Sequence, residues 1–124
     1  MAPIVFWVVG CAWLATGLFV FAAPADFFVL TPGVAATGPY NPHFVRDVGL
    51  AFIVSGGAVL WGVWRHVRSA VVIGAAWPAA HALFHAQHLL AHGAAMSLPA
   101  MAFEVGLVIT APLAVFLLAV FRRR

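Results

Sequence analysis

The sequence predicts an all-α integral membrane protein, one four-helix bundle over residues 1–124 with both termini in the cytoplasm. Three observations lead there. Only 7% of the residues are charged and 65% are hydrophobic, whereas a soluble domain carries about 25% charged residues. So few polar groups cannot clothe a globular surface in water, and the mean hydropathy of +1.09 points to a bilayer as the solvent. Apolar runs of membrane-crossing length recur four times. Finally, the arginines gather at the ends of those runs that alternation places on one side.

The first run is IVFWVVGCAWLATGLFVFAA, residues 4–23. It resembles a secretion signal only loosely, through Ala23-Pro24-Ala25. It lacks a basic leading region and its apolar run is too long, so a retained span is expected. The second span is expected over 44–64, the third over 70–92 and the fourth over 102–121. Such runs are too long for barrel strands and do not alternate, so they read as helices. Asn41 followed by Pro42 is a start signal for the second helix, and Ser97 before Pro99 is a weaker one for the fourth. Gly93 is placed to end the third, and Pro112 should kink the fourth.

Between spans one and two lies PADFFVLTPGVAATGPYNPHFVRD, rich in Pro and Gly. Its DFFVL segment fits either a turn dipping into the headgroup layer or a cap over the bundle mouth.

Orientation follows from charge. Arg65 and Arg68 separate spans two and three, and Arg122, Arg123 and Arg124 follow span four. The positive-inside rule sets these five in the cytoplasm and leaves Arg46 near the outer face. The sequence pI near 10.6 therefore reflects membrane topology and does not imply a nucleic-acid partner. His66 falls in the same cytoplasmic turn. Trp7, Trp61 and Trp64 sit where interfacial anchors belong. Cys11 is the only cysteine, so no internal disulfide forms. Gly56, Gly57, Ala58 and Gly62 give the second helix a smooth side for close contact.

The chemistry concentrates in HALFHAQHLLAH, residues 81–92. At about 100° per residue, His81, His85, His88 and His92 fall within roughly 60° of one helix face. Asp47 and Glu104 each lie five residues after a helix-starting proline, which sets both about 7 Å inside the outer helix ends. Counting back from His92 brings His88 and His85 to a similar depth. Ionisable groups inside a bilayer are costly unless paired and mark functional sites by default.

Several readings stay open. His85, His88, Asp47 and Glu104 form a candidate site for a transition metal (Zn, Fe, Mn or Cu), with His81 and His92 as outer or second-site ligands. This metal-handling or redox reading is preferred and admits a metal-dependent membrane oxidoreductase, or a subunit of one. Haem b would need a facing histidine, and within the chain His43 alone offers one. Neutral imidazoles in series also suit a proton or ion pathway, although Trp77, Gly74 and Ala70 continue the stripe inward without proton carriers. A non-catalytic accessory subunit that docks through small-residue faces is the plainer alternative, and a histidine or Arg46 neutralising Asp47 would suffice for it. No hydrolase, nucleotide-binding or dinucleotide fingerprint is present.

The segment NPHFVRDVGLAFIVSGGAVLW resembles the second-helix region of DoxX-like small bacterial four-helix membrane proteins, with Arg46, Gly49 and Gly56 or Gly57 at the matching positions. It spans about one sixth of the chain. The resemblance implies a small subunit of a membrane redox complex, linked to quinone-dependent sulfur oxidation. The histidine stripe lies outside that pattern, so no catalytic residue transfers. A homo-oligomer or a subunit of a membrane complex, in the inner membrane of a bacterium, is the expected setting. The abundance of Ala, Gly and Arg with no Lys agrees with a GC-rich bacterial genome.

Overall fold

A computed structural model describes residues 4–92 and 96–122. It is all-α, with four helices long and apolar enough to cross a membrane. They are α1 (Ile4–Ala22), α3 (Pro42–Trp64), α4 (Arg68–His92) and α5 (Leu98–Phe121). A short helix, α2 (Pro24–Leu30), and a single 3₁₀ turn (Val34–Thr37) occupy the long connection.

The helix ends follow the local chemistry. Asn41 caps α3, its side-chain oxygen accepting from the backbone N–H groups of His43 at 3.1 Å and Phe44 at 3.2 Å. Pro42 then occupies the first turn, where its missing donor costs nothing. Ser97 caps α5 less tightly, accepting from Ala100 N–H at 3.5 Å. Capping residues therefore extend α3 and α5 outward past the apolar runs that define them.

Pro112 is absorbed by a change of helix type. Ahead of it α5 is π-helical over Glu104–Thr110, and Ala111 N–H donates to the Gly106 carbonyl five residues back. A proline ring in a regular α-helix presses on the carbonyl of the preceding turn, and a widened turn relieves that pressure. Inside α4, Pro78 is fully buried without ending the helix.

Helices adjacent in the chain pack on one another: α1 on α3, α3 on α4 and α4 on α5, with α1 closing lightly on the Ala111–Phe121 half of α5. The α1–α3 contact is the tightest. A Cβ added at Gly17 would lie 2.6 Å from the Ile53 backbone nitrogen, and one at Gly56 would lie 2.5 Å from that of Leu14. Only hydrogen fits at either point, so these glycines set the separation of the two backbones.

The apolar core lies toward one end. Phe6 and Trp13 of α1, Val59 and Val63 of α3, Val71 and Ala75 of α4, and Val115 and Ala119 of α5 form one buried cluster. All come from the half of each helix nearest Arg65, Arg68 and Arg122. That half holds the main apolar cluster, and the buried Glu104 lies in the other half.

Two arginines close helix ends on neighbouring elements. Arg46 Nε donates to the Phe21 carbonyl at the end of α1 at 3.3 Å. Arg68 Nε donates to the Ala119 carbonyl at 3.0 Å, and its Nη2 donates to that of Val120, at the end of α5. Positive charge at a helix C-terminus complements the dipole and satisfies carbonyls that lack an intrahelical partner. In the connection between α1 and α3, Phe27 of α2 packs edge-on against Phe19, ring centroids 6.5 Å apart, while Val29 and Leu30 are exposed.

Candidate functional site

The site grows along α4 away from the buried apolar cluster. One turn separates Trp77 from His81 and another separates His81 from His85, so all three share a face. Phe52 of α3 meets Trp77 edge-on at 5.0 Å. Trp77 in turn stacks on the His81 ring at 5.0 Å, with planes only 11° apart. His81 presents its ring to His85 at 4.4 Å in a T-shaped contact, and Phe84 flanks His85 at 6.0 Å. The result is a column of rings, apolar at the core end and basic at the outer end.

The column ends on a carboxylate. Among the described residues, Glu104 of α5 and Ser55 of α3 are the buried polar side chains. Glu104 Oε1 is hydrogen-bonded to His85 Nδ1. The His85 side chain keeps 25% of its accessible surface and that of Glu104 keeps 11%. Both groups are thus largely withdrawn from solvent, where each would be costly without the other. The π-helical stretch begins at Glu104 itself. From Glu104 to the buried Pro112 the chain takes eight residues and passes the half-buried Val108 and Ile109 midway. These are turns of about four residues in place of 3.6, and they set the angle at which Glu104 reaches α4.

The other acid has a different partner. Asp47 Oδ2 lies 3.5 Å from His43 Nε2, a contact between residues four apart on α3, with both side chains well exposed. His88 is on the exposed side of α4. The side chain of His92, and Gly93 beyond it, lie outside the described residues. The structure therefore joins His81, His85 and Glu104, and separately joins His43 and Asp47. Among the described residues, no three His, Cys, Asp or Glu side chains are grouped so as to hold a metal ion.

Counting from helix ends assigns Asp47 and Glu104 similar depths, but depth carries no information about azimuth. On α3, the positions turned toward α4 are Phe52, Ser55, Ala58, Val59 and Gly62. The sequence reading placed Trp77 on the histidine face but not its ring under His81. The π-helical register of α5 left no sequence signal beyond Pro112.

With Glu104 ionised, His85 donates through Nδ1–H and turns the lone pair of Nε2 toward whatever reaches the other edge of the ring. That edge can accept a proton or ligate a metal. Comparison with family models, with curated proteins and with solved structures finds no match for the chain. Geometry and chemistry alone therefore bear on its function.

Proposed function

We propose that the chain is a multi-pass protein of a bacterial inner membrane, termini in the cytoplasm, that binds and releases a proton at the His85–Glu104 pair. The carrying observation is the direct imidazole–carboxylate contact between α4 and α5, at the end of a column of aromatic rings that includes His81.

Charge counting supports this reading. A neutral His85 with an ionised Glu104 carries one negative charge in a medium of low dielectric. Adding one proton, at Nε2 or on the carboxylate, makes the pair net neutral. The site therefore exchanges one proton, or one compensating cation, with whatever reaches it. His88 and His92 continue from it along α4 toward the outer face, whereas inward the column meets Trp77, Phe52 and the buried apolar cluster. Protons reach the pair from outside, and crossing the bilayer takes a second subunit. The protein is thus a component of a proton or ion pathway within a larger membrane assembly.

A transition metal on His85 Nε2 is the second reading. It is favoured by the carboxylate on Nδ1, which orients a ligating imidazole and fixes its tautomer. With no third ligand grouped in the described chain, a second chain would complete such a site.

¹⁵N NMR of histidine-labelled protein in nanodiscs tests the proposal. Across a pH series the His85 ring nitrogens should gain and lose a proton, and Glu104→Gln should alter that response. A His85 signal that stays in one protonation state throughout rejects the reading.

A further inference from the structure

At the arginine-bearing end, opposite the histidine site, α1 and α5 do not close completely. Between them runs a groove of about 620 Å³ lined by Phe6, Ala114, Leu117, Leu118, Phe121 and Arg122. Phe6, a member of the buried core, forms its floor, and the half-exposed Leu117 and Leu118 form its walls. Its one charged lining residue is Arg122, at the terminus of α5.

We infer that this groove is a binding site for an anionic phospholipid, an acyl chain lying along Phe6, Leu117 and Leu118 and the phosphate held by Arg122. The inference rests on the membrane reading of the four helices but not on the His85–Glu104 chemistry. Three observations support it.

Charge complementarity comes first. Arg65, Arg68 and Arg122 lie at this end, and Arg123 and Arg124 follow in the sequence. The three acids Asp26, Asp47 and Glu104 all belong to the opposite half. Basic pockets between membrane helices on the cytoplasmic side suit anionic headgroups.

Next, the unfavourable helix dipole is already answered. A helix C-terminus repels anions, but Arg68 occupies the Ala119 and Val120 carbonyls and Arg122 N–H occupies that of Leu118 at 3.1 Å. Guanidinium groups, not carbonyls, therefore dominate the end of α5.

Finally, the groove opens at the right depth. Trp7, Trp61 and Trp64 are exposed at this end and mark a headgroup level, so a chain in the groove runs into hydrocarbon while its phosphate stays among the arginines.

The experiment is phospholipid retention by the purified full chain. Protein in non-ionic detergent is exchanged into phosphatidylglycerol or phosphatidylcholine, washed, and the bound lipid counted by native mass spectrometry. Wild type should keep about one phosphatidylglycerol per chain and prefer it to phosphatidylcholine. Arg122→Gln should reduce that preference roughly fivefold, the change one arginine near a membrane surface produces, while Arg122→Lys should retain most of it. Ala114→Trp, at an exposed groove position, should lower retention of both lipids with the helical circular-dichroism signal unchanged; Leu117→Trp is the second plug. Equal retention of the two lipids by wild type, or undiminished phosphatidylglycerol on both plugged variants, overturns the proposal. The latter result would hand the groove to another occupant, such as an acidic segment of a partner. Either outcome leaves the titration of His85 unaffected, so the two proposals fail separately.

Discussion

Glu104 on the last span and His85 on the third are hydrogen-bonded to each other across the helix interface, and both are largely buried. Neither is tolerable there alone. Removing one partner leaves the other largely buried without it, and the cost depends on which group is left and on whether it can shed its charge.

A double-mutant cycle on this pair should show coupling. We expect His85→Ala and Glu104→Ala each to destabilise by about 1–3 kcal/mol, with an interaction energy of about 0.5–2 kcal/mol in detergent. Glu104→Gln, which keeps an acceptor but no charge, should stay close to wild type in melting temperature. Additive single mutants would show that the contact carries no energy.

Metal content separates the two readings of the site. Protein purified without chelators should hold less than one equivalent of transition metal per chain, and chelation should leave its melting temperature unchanged. Stoichiometric metal that disappears in His85→Ala would transfer the site to the metal-binding reading and imply ligands from a second chain.

The α5 register depends on Pro112. Pro112→Ala removes the reason for the widened turns, so the helix should relax toward regular α geometry and turn Glu104 relative to α4. The expected signature is loss of the His85–Glu104 coupling in the same cycle with helix content retained. Coupling of unchanged size in the Pro112→Ala background would show that the π-helical stretch has another cause.

Glycine substitutions should sort by the space around them. Gly17→Ala and Gly56→Ala each force a methyl group against backbone of the facing helix, so a loss of about 1–3 kcal/mol is expected. Gly57→Ala and Gly106→Ala meet nothing within 4 Å and should be near neutral. Thermal unfolding in detergent measures all four.

Arg68 should not be replaceable by lysine. Its Nε and Nη2 reach two successive carbonyls at the end of α5, a forked arrangement that a single ammonium does not reproduce. Arg68→Lys is expected to cost about 0.5–1.5 kcal/mol, the net contribution of one hydrogen bond, and to increase proteolytic cleavage after Phe121.

Hydropathy was sufficient to place four long helices, because each run of about 20 apolar residues needs no neighbour to explain it. Capping chemistry likewise marked the start of α3 at Asn41, since the bonds concerned are local. Counting residues from helix ends even put His85 and Glu104 at one depth, for rise per residue is a property of the helix alone. Azimuth is different. Whether Asp47 or Glu104 faces the histidines depends on how each helix is rotated in its packed position. That rotation was settled by contacts far apart in sequence: glycines at the α1–α3 crossing, the ring of Phe52 on Trp77, and the π-helical turns ahead of Pro112. The acid on α3 consequently went to His43 and the acid on α5 to His85, a choice made by packing and invisible to any count along the chain.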